Sequence, residues 1–159
     1  MRTIKFRAKL HPAMGSEWVY GDYVTGIYVD PEYNSPSISH FISTKKGDDP
    51  NNPEFLFQNN YNVRVLDIQE ETLGQFTGLY DIDGKEIYEG DIVEKAVNNI
   101  ISSHRFKIVY SECFAGFCRL YIKKKGTRDG LISLSEMDID REEIKVIGNI
   151  HDNPELLKQ

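Results

Sequence analysis

The chain alternates apolar and polar residues in short bursts, each ended by turn-forming residues. From Thr3 to Leu10, Ile4, Phe6, Ala8 and Leu10 fall on one side and Lys5, Arg7 and Lys9 on the other. A period of two with one apolar side predicts a half-buried strand. Pro12 to Ser16 supplies a turn, and Trp18 through Val24, Ile27 and Val29 predicts a second strand paired with the first as a hairpin. Asp30 to Asn60 is rich in Pro, Asn, Asp and Ser, with apolar runs only at Ile38 to Ile42 and Phe55 to Phe57. It reads as a long loop or small flap holding one or two short strands. Further strands are expected at Tyr61 to Ile68, Asp91 to Val97, His104 to Tyr110, Phe117 to Ile122, Leu131 to Leu134 and Ile144 to Ile150. Short strands at this spacing indicate an all-β antiparallel sandwich or barrel. Helix is expected only as a turn near Ser135 to Glu142 and a last one with Asp152 or Asn153 as cap, Pro154 first and Glu155 at its positive end.

The densest turn chemistry lies between Glu71 and Val93, ETLGQFTGLYDIDGKEIYEGDIV. Gly74 and Gly78 are expected to bend the backbone. Asp83 and Gly84 predict a type I′ hairpin turn with φ > 0 at both residues, and Gly90 with Asp91 aims the next strand. Tyr20 to Val24 echoes Glu89 to Val93 in form, but five positions do not establish a repeat. The organisation expected is an N-terminal β-hairpin lobe with a variable loop over 1–70 and a C-terminal β-barrel region over 71–159, folded as one unit.

The 159 residues suffice for a core without staples, and 40% apolar with 28% charged residues excludes disordered and fibrous classes. No apolar run approaches the about 18 to 20 residues of a membrane helix, and the N-terminal dozen residues lack an export signal, which predicts a cytoplasmic protein. Cys113 and Cys118, beside Phe114 and Phe117, read as reduced core residues.

Net charge is −6, which argues against a protein that coats nucleic acid. Yet from His104 to Arg128 the cations Arg105, Lys107, Arg119, Lys123, Lys124, Lys125 and Arg128 face Glu112 alone. Phe106, Tyr110, Phe114, Phe117 and Tyr121 are interleaved with them. This is the pattern of a surface that stacks bases and holds phosphates, with Lys5, Arg7 and Lys9 as a possible extension. It is equally the pattern of a core hairpin whose cations pair with acidic neighbours across the sheet.

Other chemistry finds little support. In a calcium loop the glycine stands sixth and a glutamate twelfth; counting from Asp81, Gly84 is fourth and Ile92 twelfth. His11, His40, His104 and His151 lack zinc-ligand spacing with each other or with the cysteines. No glycine elbow surrounds Cys113, and no phosphate-binding loop is present. No cofactor, metal or catalytic residue is expected.

Three blocks, IKFRA at Ile4 to Ala8, the Glu71 to Val93 stretch, and VIGNIHDNPELL from Val146 to Leu157, together resemble the YopX family of phage and prophage proteins. That pattern opens on an IKFRAW-like segment, and Lys9 stands here where it has Trp. The resemblance implies a mainly β fold containing a small barrel, an origin in a phage or prophage, and no established activity. The Gly-Asp turn entering a strand is also similar to turns of SH3-like barrels, a likeness of fold and not of function. The chain is therefore expected to be non-enzymatic and to bind another protein, including a second copy of itself, with nucleic acid binding by the 104–128 hairpin as the alternative.

Overall fold

The computed structural model describes residues 3–29, 36–45, 63–97, 100–122, 130–134 and 143–158. They are built almost wholly of antiparallel strands, and the chain divides into two compact units, Met1–Gln75 and Phe76–Gln159.

In the first unit β1 (Phe6–Lys9) pairs with the start of β2 (Trp18–Val29), Arg7 opposite Tyr20 and Lys9 opposite Trp18. The rest of β2 pairs with β3 (Pro36–Lys45), and β3 pairs with β4 (Val63–Asp67), giving the order β4-β3-β2-β1. The 30–60 region therefore holds more strand than a flap: β3 runs for ten residues in the interior of the sheet. Phe55 to Phe57 lie outside the described residues. The apolar side of β1 enters a core with Val19, Ile42, Leu66 and Ile68.

The outer strands of this unit curl towards each other without closing a barrel. Leu10 and Ile68 form one bridge, His11 N–H donates to Asp67 O and Gln69 N–H to Lys9 O, both at 2.9 Å. No ladder extends from that bridge among the described residues, so this sheet is open and curled. A 3-10 turn at Glu70–Thr72 follows β4. The first two residues of β5 (Gly74–Tyr80) pair with β1.

The second unit begins with a hairpin of β5 and β6 (Glu86–Tyr88), then a five-stranded sheet. Its strands are β7 (Asp91–Val97), β8 (Ile100–Ser111), β9 (Gly116–Tyr121), β10 (Leu131–Ser133) and β11 (Glu143–Asn149), in the order β10-β9-β8-β7-β11. Among the described residues the end strands β10 and β11 are not neighbours, so in place of the barrel expected over 71–159 this sheet too is open. Ile87, Val93, Phe106, Ile108, Phe117, Leu134, Ile144 and Val146 form the core. Full enclosure of Val93 and Ile108 contributes about 1.5–3 kcal/mol each.

The turn between β5 and β6 differs from the expected type I′ form. Of its residues only Gly84 has positive φ, at 80°. Gly84 N–H donates to Asp81 O and Asp81 N–H to Lys85 O, the wider loop with a glycine bulge that also fits a right-twisted hairpin. Asp81 organises it. One carboxylate oxygen accepts Asp83 N–H at 2.9 Å and Lys85 N–H at 2.8 Å, and the other accepts Val146 N–H from β11 at 3.0 Å. Ile82 N–H donates to Ile144 O at 2.9 Å. The turn thus takes up hydrogen-bonding groups on the free edge of β11, where an unpaired strand would invite association.

Gly78, at φ 89°, lies where the β5–β6 register shifts, and Gly90, at φ 84°, lies in the turn before β7. Gly74 has no such conformation and sits in regular pairing with Arg7, so it does not bend the chain. Asp91 is buried and accepts Tyr88 N–H at 2.8 Å. The Tyr20 to Val24 echo is one of letters only, since Gly21 lies inside β2 whereas Gly90 forms a turn.

Past β11, Asn149 Oδ1 accepts His151 and Asp152 N–H, both at 2.9 Å, ahead of a 3-10 turn at Pro154–Leu157. Asn153 occupies the cap position, where its side chain makes no capping bond; its Oδ1 instead accepts Asn149 N–H. A Cβ on Gly148 would lie 2.4 Å from Asn153 Oδ1 and 3.0 Å from Leu156 Cδ1, so the close return of this segment requires glycine. The expected turn near Ser135 to Glu142 lies outside the described residues.

Candidate functional site

Strand register decides what the basic hairpin can present. Residues directly opposite in an antiparallel pair share a face. Ile108 stands opposite Arg119, Phe106 opposite Tyr121 and Tyr110 opposite Phe117, so Arg119 shares its face with the core aromatics. It is only 8% exposed, with its guanidinium carbon 5.1 Å from the Phe106 ring centroid. Arg105 and Lys107, one position out of phase with Phe106 and Ile108, occupy the opposite face. Arg105 Nε–H donates to Glu94 Oε1 at 2.8 Å across the β7–β8 pair. The cations nearest in sequence are therefore divided between two faces, and one has an acidic cross-strand partner. Lys123, Lys124, Lys125 and Arg128 lie outside the described residues. Of the interleaved aromatics, Phe106 and Phe117 are core and Tyr121 packs against it.

The tip of the β8–β9 hairpin is different. Ser111 pairs with Gly116, leaving a loop of Glu112 to Ala115 in which Ala115 N–H donates to Glu112 O. Ala115 has φ 48°, a left-handed conformation that a residue with a Cβ holds at about 1–2 kcal/mol of strain. Phe114 is 53% exposed at this tip, and Tyr110, near the end of β8, is 49% exposed. Tyr110 is fixed edge-on to Phe117 at 5.6 Å, and its N–H donates to Glu89 Oε1 at 3.2 Å. Both cysteines are free thiols, but they divide. Cys118 is buried as expected, and Cys113 stands exposed in the loop instead of in the core.

The first unit carries two further constellations. On the outer face of β1 and β2, Lys5 Nζ lies 5.5 Å from the Tyr20 ring centroid, Arg7 Cζ 4.7 Å from that of Trp18, and Lys9 Nζ 5.7 Å from the same ring. The alternation of β1 supplies the cations and its register with β2 supplies the aromatics. On the inner face, Tyr23 O–H and His40 Nδ1 are 2.5 Å apart, and His40 Nε2 lies 3.2 Å from Glu70 Oε2. The Tyr23 and His40 rings stack at 6.0 Å. Burial raises the Tyr23 pKa above its ordinary value, and the nearby Glu70 charge raises it further, so the phenol holds its proton to higher pH. Sequence reading missed this relay, because residues 23, 40 and 70 meet only once β2, β3 and the turn after β4 are assembled.

Asp81 and Asp83, weighed in the sequence as calcium ligands, are otherwise engaged: both Asp81 oxygens accept main-chain N–H groups and Asp83 pairs with Lys145 Nζ at 2.8 Å. Among the described residues, no group of three His, Cys, Asp or Glu is placed to hold a metal ion, and no helix is long and apolar enough to cross a membrane.

Fold and geometry define an all-β chain of two units whose open sheets expose aromatic side chains at a hairpin tip and on a strand face. The family pattern described as YopX protein matches residues 5–158, and the chain belongs to the YopX family. Its structure is similar to the crystal structure of protein EF1440 from Enterococcus faecalis, with 24% identity over 99% of this chain and 100% of that one, at a TM-score of 0.48. No curated protein matches the chain.

Proposed function

We propose that this YopX protein is a non-enzymatic binding module whose partner is another protein, engaged at the β8–β9 hairpin tip. The observation that carries this reading is the half-exposed pair Phe114 and Tyr110, held out on a ladder of six residue pairs by a loop that stores strain at Ala115. Large aromatic side chains on a rigid base lose little conformational freedom on docking, which suits them as anchors for a protein pocket. Backbone strain concentrated at such a loop also favours a selected role. A second copy of the chain is the other candidate partner. The turn at Asp81 engages one sheet edge, that of β11, through which strands of two copies could otherwise pair. On this reading the protein acts in the cytoplasm of a bacterial host as a phage or prophage product.

Affinity capture from source-cell extract with wild-type protein and with Phe114→Ser, combined with light scattering after gel filtration, tests the proposal. The expected result is a monomer that recovers a partner in stoichiometric amount, with recovery lost in the variant. Equal recovery by both proteins, or a strict monomer recovering nothing, overturns it.

A further inference from the structure

We propose that the outer edge of β2, from Tyr23 to Val29, is a second binding site, and that its ligand is an extended segment of another protein that joins the sheet as a strand. β1 is four residues long and pairs with β2 only over Trp18 to Gly21, whereas β3 pairs with β2 from Asp22 to Val29. Beyond Gly21, the side of β2 that β1 would occupy carries no strand among the described residues. A Cβ on Gly21 would collide with Ser43 O, so glycine is what lets β2 pass from β1 to β3 at this point. Register decides which main-chain groups face outwards. Ile68 N–H donates to His40 O at 3.1 Å, so His40 directs its main-chain groups away from β2. Thr25, opposite His40, directs its own away from β3, and by alternation so do Tyr23, Ile27 and Val29. The N–H and C=O groups of these residues stand in a row along one edge, a pattern that another extended backbone complements.

The end strands of the two sheets do not offer such an edge. β6 and β10 are three residues long. β4 ends in the bond from His11 N–H to Asp67 O and the Leu10–Ile68 bridge, and β11 is taken up by the Asp81 turn. Short length, cover, charge and proline are the devices that keep edges from pairing. From Tyr23 to Val29 there is no charged residue and no proline, and Val24, 42% exposed, offers an apolar side chain on the outer face. Charge also selects the occupant. Asp22 is exposed at the start of the stretch, Asp30 follows it in sequence, and the chain carries −6. A second copy would bring the same acids to the pairing, whereas a β-prone, uncharged segment with a Lys or Arg at each end matches them. The site lies in the first unit and is independent of the partner reading of the β8–β9 tip.

Fluorescence anisotropy of the full chain tests the inference with a labelled synthetic peptide of alternating valine and threonine carrying lysine at both ends. The same peptide with glutamate at both ends, and one broken by a central proline, are the other arms. Saturable binding is expected for the lysine-ended peptide, weaker binding for the glutamate-ended one and none for the proline-broken one. Thr25→Pro removes an outward N–H without touching the β2–β3 ladder and should weaken binding by about 10-fold or more. Asp22→Lys should weaken the lysine-ended peptide by about 2- to 5-fold. Circular dichroism melts establish that each variant is folded. In wild type, hydrogen exchange by NMR gives a readout that needs no variant: the Thr25 and Ile27 amides should exchange fast in the free chain and slow when peptide is added, while the Val24 and Gly26 amides, turned towards β3, stay protected throughout. Absence of binding, equal binding of the three peptides, a Thr25 amide already slow in the free chain, or binding unchanged in folded Thr25→Pro overturns it. A free chain that dimerises, with the dimer lost in Thr25→Pro, overturns it too, the edge then belonging to a second copy. Phe114→Ser should bind the peptide like wild type, so failure here and failure of the reading at the hairpin tip are told apart.

Discussion

Replacing Asp81 with Ala removes the carboxylate that joins the β5–β6 turn to β11. The group is only 7% exposed and accepts three main-chain N–H donors, from Asp83, Lys85 and Val146. Hydrogen bonds to a charged acceptor contribute about 1.5–3 kcal/mol each, and a buried donor left unsatisfied costs about 1–3 kcal/mol. The three bonds share one acceptor group and do not add. The Asp83 and Lys85 amides lie in an exposed turn that water can reach, while the Val146 bond is buried. The expected destabilisation is therefore about 3–5 kcal/mol, a large share of the about 5–15 kcal/mol that holds a typical domain. Urea unfolding measures it, and a thermal melt should fall by about 6–20 °C for a chain of this size. Hydrogen exchange gives the local signature: the Val146 amide should lose protection in Asp81→Ala well before core amides of β8 do. A variant within about 0.5 kcal/mol of wild type, a change no larger than an ordinary surface substitution, would refute the role assigned to Asp81.

Ala115→Gly relieves a left-handed alanine while adding some freedom to the unfolded chain, so it should stabilise by about 0.5–1 kcal/mol in the same urea assay. Tyr23 should be distinguishable among the nine tyrosines in an ultraviolet titration, as a phenol ionising above the ordinary value of 10.0. That signal should vanish in Tyr23→Phe and move down only partly in Glu70→Gln, because burial and not the Glu70 charge is the larger cause. A folded-state pKa raised in this way adds stability that is fully present below about pH 10 and is lost as pH rises through the folded value, so Tyr23→Phe should flatten the alkaline arm of the stability profile.

Strands whose alternation is clean were legible in the residues themselves. Thr3 to Leu10 announced β1 and its basic side, Gly-preceded apolar runs announced β7 and β9, and the apolar run at Ile144 to Ile150 announced β11. β3 was legible only as a short strand within a flap, because Ser37, Ser39, Ser43 and Thr44 share its length with Pro36 and its flanks are Asn- and Pro-rich, a composition that reads as loop until the pairing with β2 and β4 is seen. The basic hairpin was ambiguous in sequence for a different reason. Which face Arg119 occupies depends on the β8–β9 register, set by the loop of Glu112 to Ala115, and a slip of one residue would exchange the faces. No local pattern fixes that register. The same interleaving of cations and aromatics does exist on β1 and β2, where Trp18 and Tyr20 come from the neighbouring strand and so were invisible as partners of Lys5, Arg7 and Lys9. Asp81 looked like a failed metal ligand because its third donor, Val146, lies 65 residues away.

Cys113 is exposed beside Phe114 and Cys118 is buried, so a thiol-directed photocrosslinker can be placed on the hairpin tip alone. The most direct test of a protein partner at this tip is irradiation of protein labelled at Cys113 in source-cell extract, followed by mass spectrometry of the products. One discrete adduct, present with wild type and absent with Phe114→Ser, is the predicted result; no adduct, or the same products from both proteins, would contradict it.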